Sequence, residues 1–180
     1  MKRFVSSSEA LNLLKRAGCS TSILRHCLAV SCLAVQLAWK LKRRDVKIDV
    51  RLVEIGGLLH DIGRSKTHGI DHAVVGADIV RSFNLPSSVV RIVERHTGAG
   101  ILAEEAEKLG LPSRDFIPET LEEKVVSYAD KLIEGNRIVS FDTALRRFSE
   151  EFGESHVIVN RFIRIHTELS QALESSTEPC

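Results

Sequence analysis

Apolar residues recur with the period of an α-helix along almost the whole chain, and this pattern constrains the fold more than any other feature. From Ile23 to Leu41 they fall three or four positions apart, as they do on one face of a long helix. Residues 49–59 are apolar almost all round, which is typical of a helix in the middle of a core. No segment has the strict alternation of a half-buried strand. The sequence therefore predicts an all-α fold, a compact bundle of several helices.

Capping residues, glycines and prolines set the expected helix boundaries. Ser8 is the expected cap of a first helix that ends before Gly18, and residues 20–22 offer caps for the second. The third helix contains Gly56 and Gly57, which indicate close backbone packing. The remaining helices are expected at 72–83, with Asp71 as the cap, and at 86–98, 102–109, 119–134, 143–152 and 156–173.

The length of 180 residues suits one domain, 1–180, with a single core. The core is expected over about residues 20–137, followed by C-terminal helices over 142–173 and a frayed tail over 174–180. The sequence leaves the oligomeric state open.

Composition argues against several classes of protein. Lysine and arginine total 25 against 24 acidic residues, and a net charge of +1 gives no reason to expect nucleic-acid binding, although a local cluster can still hold a phosphate. None of the four cysteines forms a CxxC pair, which favours a reduced, cytoplasmic protein. The apolar run 27–39 is interrupted by Ser31 and Gln36 and is too short to span a bilayer, and the basic N-terminus is not followed by an apolar signal-peptide core. Neither membrane insertion nor secretion is expected.

Polar residues occupy several positions where these helices would normally carry hydrocarbon. His96 and Asp130 lie on apolar helix faces, and His26 lies beside the apolar face of the second helix. The pair His60 and Asp61 ends the most apolar helix. A buried carboxylate needs a partner because its desolvation costs several kcal/mol. One metal cluster would satisfy all of these groups; the alternative for each is a hydrogen-bonded core residue.

The candidate ligands are imidazoles and carboxylates without a thiolate. This set favours iron, manganese, zinc or magnesium over a thiolate-bound structural zinc. Two ions that share a carboxylate would form a clamp, typically about 3.5–4 Å apart, suited to displacement at phosphorus.

These residues resemble the four-ligand signature of the HD superfamily of metal-dependent phosphohydrolases, in which His26, His60, Asp61 and Asp130 would be the ligands. The letters HDIG at 60–63 match a common form of the central motif of that superfamily, and the resemblance extends from about residue 20 to residue 137. It implies an HD-domain-like helical bundle with a metal-dependent hydrolase activity.

Two further stretches, DHAVVGA at 71–77 and RHTGAG at 95–100, contain His72 and His96, which resemble the extra histidines of dinuclear HD domains. The stretch YADKLIEGNR at 128–137 resembles the bacterial HD-type symmetrical diadenosine tetraphosphate hydrolases. The resemblance implies two divalent ions, with iron or manganese favoured and zinc, cobalt or magnesium possible. The implied ligands are His26, His60, Asp61 and Asp130 for one ion and Asp61, His72 and His96 for the other.

Arg64 follows the HDIG motif, where the superfamily often has a lysine. With Asp61 it is expected to act in catalysis, because its guanidinium fork suits a phosphate; the alternative is a solvated loop residue. Further candidates for substrate contact are Lys66, His68, Thr97 and Arg137, of which the last could instead cap the seventh helix.

The implied reaction is attack of a metal-bound hydroxide on phosphorus. The expected substrate is a small nucleotide, with diadenosine tetraphosphate cleaved to two ADP as the best match. The alternatives are a nucleotidase, a cyclic-nucleotide phosphodiesterase or a non-catalytic regulatory module that binds metal and nucleotide. No acidic residue follows Asp61 directly, which argues against single-metal HD nucleotidases, and no GYP-type segment follows His96, which argues against cyclic-dinucleotide phosphodiesterases.

Overall fold

The computed structural model describes residues 5–154 and 156–174. Within these residues the chain forms nine α-helices, one short 3₁₀-helix at Ile62–Ser65 and one two-stranded hairpin. The prediction of an all-α fold is confirmed. The helices are α1 Ser7–Ala17, α2 Thr21–Lys42, α3 Val50–Leu59, α4 His72–Ser82, α5 Ser87–Arg95, α6 Ala103–Lys108, α7 Leu121–Lys131, α8 Phe141–Phe152 and α9 Val157–Glu174. The strands are β1 Ile133–Glu134 and β2 Arg137–Ile138. Of the predicted tail, Glu174 ends α9, and 175–180 lie outside the described residues.

The first helix is capped by Ser6 and not by Ser8. The Ser6 hydroxyl accepts a hydrogen bond from the Glu9 backbone at 3.3 Å, and the Glu9 carboxylate accepts one from the Ser6 backbone at 2.7 Å. This reciprocal capping box satisfies two N–H groups that the helix itself leaves unpaired. Three successive serines offer similar caps, and the acidic residue three positions after Ser6 decides between them.

One other predicted helix start and one predicted cap differ from the structure. Helix α8 begins two residues before the predicted position, because the Ser140 hydroxyl accepts a hydrogen bond from the Thr143 backbone at 3.2 Å. Helix α4 begins at His72 as predicted, but in the described structure Asp71 makes no side-chain cap. Its carboxylate instead accepts a hydrogen bond from the Thr67 hydroxyl at 2.9 Å.

The predicted helix 119–134 is shorter than expected, and a hairpin follows it. Helix α7 ends at Lys131, and β1 pairs with β2 in antiparallel register, with Ile133 opposite Ile138. Gly135 takes a φ of +63° in the turn, which favours glycine and suits a tight hairpin. The Gly–Asn pair at 135–136 was therefore a turn signal, which the apolar helical pattern around it concealed.

Helix α2 lies at the centre of the fold and packs against α3 and α7. A Cβ added to Gly57 would lie 2.9 Å from the Cα atom of Ser31, and one added to Gly56 would lie 2.6 Å from the side chain of Ile92. The two glycines therefore let α3 approach α2 and α5 closely, as predicted.

By length and composition alone, α2 is the one described helix that could cross a membrane. The apolar run 27–39 is too short to span a bilayer, but the whole helix has 22 residues and is long enough, so the sequence argument from length does not hold for α2. The core helix of a compact domain passes the same test, and buried residues of α2 belong to the core of this fold.

The ends of several helices converge beside the first half of α2. The segments that follow α3 and α5, the first turn of α4 and the last turn of α7 all meet there. This convergence brings together side chains that are as far apart in sequence as residues 26 and 130.

Candidate metal centre

The six predicted metal ligands lie in one cluster. His26 lies in α2, His60 and Asp61 directly follow α3, and His72 is the first residue of α4. The side chains are between 0% and 22% exposed; in chain order the exposed fractions are 22% for His26, 0% for His60, 8% for Asp61, 3% for His72, 2% for His96 and 14% for Asp130.

Four of these side chains form the first donor group. The Nε2 atom of His26 lies 3.0 Å from Oδ1 of Asp130 and 3.3 Å from Nε2 of His60. The Nε2 atom of His60 lies 3.5 Å from the same Asp130 oxygen. Oδ2 of Asp61 lies 3.9 Å from both Nε2 atoms. Ligands bound at about 2.0–2.2 Å to one divalent ion have neighbours about 3 Å away, so this group could hold a metal.

A second donor group surrounds the other oxygen of Asp61. Its Oδ1 atom lies 3.3 Å from Nε2 of His72 and 3.4 Å from Nε2 of His96, and these two nitrogens lie 3.1 Å apart. Oδ1 is buried and has no hydrogen-bond partner among the described residues. The two groups adjoin, because donor atoms of His60, Asp61 and His96 lie within 4.8 Å of one another. The two oxygens of the Asp61 carboxylate therefore face two adjoining donor groups.

The hydrogen bonds of the four histidines select one tautomer. Each ring places Nδ1 against a backbone carbonyl, and since a carbonyl only accepts, Nδ1 carries the proton. The contacts are His26 with Gly135 at 3.2 Å, His60 with Gly57 at 2.8 Å, His72 with Gly69 at 2.7 Å and His96 with Val93 at 2.7 Å. In the neutral rings the Nε2 lone pairs then point toward the cluster, and backbone contacts of this kind orient metal-binding histidines. Histidines that were merely hydrogen-bonded in the core would not need four converging lone pairs.

The electrostatics of the cluster keep its carboxylates ionised. Burial on its own would raise the pKa of Asp61, but the charge of His60 and the adjacent His72 and His96 rings outweigh it and hold that pKa well below its usual range. Burial would also raise the pKa of Asp130, but the charge of Lys131 and the adjacent His26 and His60 rings outweigh it and lower that pKa well below its usual range.

Two histidine rings of the cluster respond to these charges in opposite ways. Burial lowers the pKa of His96 to about 4, so this ring is neutral at pH 7 and can act as a ligand. Burial also opposes the charged form of His60, but Asp61 and Asp130 outweigh it and raise the pKa of this ring. A bound cation would therefore compete with a proton at His60.

Lys131 is a residue of the site that sequence analysis missed. Its ammonium group contacts Oδ2 of Asp130 and donates a hydrogen bond to the His96 carbonyl at 3.2 Å. It therefore fixes the Asp130 carboxylate so that Oδ1 faces the first donor group. The stretch YADK contained this lysine next to the aspartate, but adjacent helical residues point about 100° apart, and sequence alone did not show that both reach the site.

Arg64 also contacts a candidate ligand. Its Nε donates a hydrogen bond to Oδ2 of Asp61 at 2.8 Å, and a terminal nitrogen lies 3.4 Å from the His68 carbonyl. The side chain is 32% exposed and lines the cavity described below. Arg64 thus orients Asp61, and its contact with substrate stays a prediction.

Gly63 lets the end of the HDIG segment approach α4. A Cβ at this position would lie 1.9 Å from the His72 carbonyl oxygen and 2.6 Å from the Gly76 nitrogen. Only a residue without a side chain fits there, so Gly63 brings Asp61 and His72 within reach of each other.

The donor groups open into a cavity of about 1060 Å³. Of the predicted substrate contacts, Arg64, His68 and Thr97 line this cavity. Lys66 and Arg137 do not belong to the described residues that line it, and both are exposed. Arg137 lies on β2 because α7 ends before the hairpin, and Lys66 lies just past the 3₁₀-helix. The cavity is also lined by four residues that the sequence did not single out: Lys108, Arg147, His156 and Arg161.

Comparison with known protein families agrees with this geometry. The family model of the HD domain matches residues 23–135. The chain belongs to the HD domain family. The match spans α2 to the β1–β2 turn and contains all six candidate ligands of the HD domain.

Two curated relatives align with almost the whole of this HD domain. An uncharacterised protein of Methanocaldococcus jannaschii is 47% identical over 166 residues, which are 92% of this chain and 98% of the relative. A tRNA (cytidine(56)-2'-O)-methyltransferase of Picrophilus torridus is 42% identical over 170 residues, 94% of this chain and 48% of the relative. The HD domain therefore spans about half the length of that methyltransferase.

A solved structure has the same fold. The HD domain of the Listeria monocytogenes phosphodiesterase PgpH, in complex with cyclic-di-AMP, superposes with a TM-score of 0.54. The alignment covers 96% of this chain and 100% of that one at 14% identity. At this identity the likeness concerns the fold alone, an all-α HD domain.

Proposed function

We propose that this HD domain is a dinuclear metal-dependent phosphohydrolase that acts on a small nucleotide. The observation that carries the proposal is the position of the Asp61 carboxylate between the two donor groups. Its Oδ2 faces one group and its Oδ1 faces the other. The Nε2 atoms of His72 and His96 lie 3.1 Å apart. A single ion in the first donor group would not explain why these two nitrogens converge.

The donor set fits two divalent ions. Oδ1 of Asp61 is a buried oxygen whose hydrogen-bonding capacity is unused among the described residues, and a cation would satisfy it. Imidazole and carboxylate ligands suit iron, manganese, zinc or magnesium, and the family resemblance favours iron or manganese, with cobalt as a further possibility. When bound, the ions supply Lewis acidity toward phosphoryl oxygens and activate water as a nucleophile.

The protein itself contributes orientation. Lys131 fixes Asp130, Arg64 fixes Asp61, and backbone carbonyls fix the histidine rings. The contacts of Arg64 with protein atoms involve Nε and one terminal nitrogen, which leaves N–H groups for a phosphate at the cavity wall. Charge that develops on phosphorus would thus meet donors already held in place.

The substrate proposal begins with diadenosine tetraphosphate cleaved to two ADP, on the resemblance of the stretches 95–100 and 128–137. Nucleoside mono- and diphosphates and cyclic nucleotides belong in the same panel. Cyclic-di-AMP is included because it occupies the HD domain of PgpH.

A phosphate group carried by RNA is a second candidate substrate. It is favoured by the long alignment with an enzyme named for tRNA methylation. The net charge of +1 describes the whole chain and does not describe the surface around the cavity. A tRNA transcript and short oligoribonucleotides with terminal phosphates therefore complete the panel.

The test is hydrolysis of this panel by protein purified without chelator and supplied with iron, manganese, cobalt, zinc or magnesium. Products are separated by chromatography, and metal content is measured by elemental analysis. We expect turnover of a small nucleotide by protein with two metal equivalents, and no turnover by Asp61→Ala. Asp78→Ala is the matched control, since Asp78 is exposed and pairs with Arg81. A protein with two metal equivalents and no turnover of any panel member would support the non-catalytic alternative.

A further inference from the structure

The cavity has a second wall, which the C-terminal helices build. Helices α8 and α9 lie beyond residue 135, where the family match ends. They contribute Arg147, Phe148, Glu151, Phe152, Ile158 and Arg161 to the cavity lining, and His156, just before α9, lines it as well. This wall faces the same space as the donor groups and carries none of the six candidate ligands.

The wall begins beside the candidate metal centre. A terminal nitrogen of Arg147 donates a hydrogen bond at 2.9 Å to the carbonyl of Lys131, the residue next to Asp130. Phe152 lies five residues further along α8, which is about 7.5 Å along a helix axis. A nucleotide whose phosphate lies beside Asp130 and Lys131 could therefore extend its base along α8 toward Phe152.

Phe152 is the exposed member of a series of three phenylalanine rings in contact. Phe162 is 1% exposed and stacks on Phe148, which is 5% exposed, with centroids 4.9 Å apart. Phe148 contacts Phe152 at 5.7 Å, and Phe152 contacts His156 at 5.7 Å. Phe152 is 38% exposed, so part of its surface is open while its position is fixed by the rings behind it. A fixed, open aromatic ring in a cavity is a stacking surface for a planar ligand.

The cations of this wall are already engaged by protein atoms. Arg161 pairs with Glu105 at 2.5 Å and also contacts the Gly100 carbonyl, and Arg147 is held by Lys131. Beside Phe152, the exposed carboxylate of Glu151 also lines the cavity and can accept a hydrogen bond from an amino group of a base. The surface around Phe152 therefore offers a ring face and a hydrogen-bond acceptor, which suit a nucleobase, whereas the donor groups suit a phosphate.

We propose that the α8–α9 wall is a nucleobase subsite, in which Phe152 stacks on the base of a nucleotide whose phosphate lies at the donor groups. The phosphate half of this assignment rests on the proposed function, whereas the base half rests on the aromatic wall.

The experiment compares three probes by calorimetric titration in manganese-containing buffer: AMP, ribose 5-phosphate and inorganic phosphate. The Phe152→Ala variant should bind AMP about 5- to 100-fold more weakly, in line with the stacking of one base. Its affinity for ribose 5-phosphate and phosphate should stay within about twofold, because those probes lack a base. Phe152→Trp should restore AMP binding. Ile163→Ala is the matched control, since Ile163 is on α9, is also 38% exposed and does not line the cavity in the described structure.

The outcomes separate this proposal from the proposed function. The subsite is refuted if wild-type protein binds AMP no more tightly than ribose 5-phosphate, or if Phe152→Ala weakens all three probes equally. Hydrolysis of a simple phosphoester in that case would leave the proposed function standing. Selective, Phe152-dependent AMP binding without hydrolysis of any substrate would support the subsite and refute the enzyme.

Discussion

Replacement of Lys131 by methionine should weaken the first metal site specifically. The ammonium group contacts Asp130 and the His96 carbonyl, and the Lys131 and Asp130 side chains are only 11% and 14% exposed. Methionine keeps much of the side-chain volume but removes the charge, so Oδ2 of Asp130 loses its partner and the carboxylate is free to rotate.

The magnitude follows from this burial. Loss of a contact that orients a metal ligand typically costs about 10- to 100-fold in metal affinity, which is about 1.4–2.8 kcal/mol. Loss of one partner of a buried ion pair costs about 3–5 kcal/mol of stability, and the slight exposure of this pair places the expected value at or below the lower end of that range.

The assay is manganese binding measured by competition with a chelator, together with thermal unfolding of the metal-free protein. Lys124→Met is the matched control on the same helix, because Lys124 pairs with Glu168 at 2.6 Å but the two side chains are 22% and 46% exposed. That pair should contribute at most about 1 kcal/mol and should not affect metal affinity. Wild-type manganese affinity in Lys131→Met would refute the role assigned to Lys131.

Three further predictions follow from the same contacts. Asp61→Ala should lose both metal equivalents, whereas His96→Ala should keep one; elemental analysis decides, and the reverse order would contradict the bridging role. Arg64→Ala should fold but bind metal more weakly, because Arg64 orients Asp61; at saturating metal it should still lose about 2–4 kcal/mol of transition-state stabilisation in kcat/KM, with partial recovery in Arg64→Lys, and unchanged kinetics on a hydrolysed substrate would remove Arg64 from the reaction. Gly63→Ala should lower the melting temperature, because its Cβ would lie 1.9 Å from the His72 carbonyl and overpacking costs about 1–3 kcal/mol or more; an unaltered melting temperature and metal content would show that the segment can shift.

The helical architecture was predictable because burial of one helix face imposes a period that sequence shows directly. The helix boundaries that were predicted wrongly lie where neighbouring residues offer similar capping or turn signals. Ser6 and Ser8 were both plausible caps, and only the glutamate three residues after Ser6 distinguished them. The hairpin after α7 forms around the two-residue turn at 135–136. This turn signal was short, and the helical pattern of apolar residues around it favoured a longer helix.

The six candidate ligands were predictable for a different reason. Five of them are polar residues at or beside apolar helix positions, His72 belongs to the stretch 71–77 that resembles dinuclear HD domains, and a recognisable motif orders the set along the chain. The C-terminal wall had no such signal. Its place in the cavity depends on tertiary contacts such as Arg161 with Gly100 and Arg147 with Lys131, which join segments far apart in sequence. Lys66 and Arg137 were wrongly predicted to reach the cavity for the same reason, because nearness in sequence does not show where a side chain lies in the fold. Both are close to candidate ligands in the chain but do not line the cavity in the described structure.

The most direct test of the dinuclear centre is anomalous diffraction from crystals of the manganese-loaded protein. The account predicts two peaks about 3.5–4 Å apart on either side of the Asp61 carboxylate. One should lie within reach of His26, His60 and Asp130, and the other within reach of His72 and His96. A single peak, with His72 and His96 hydrogen-bonded to protein or water and away from any ion, would contradict it.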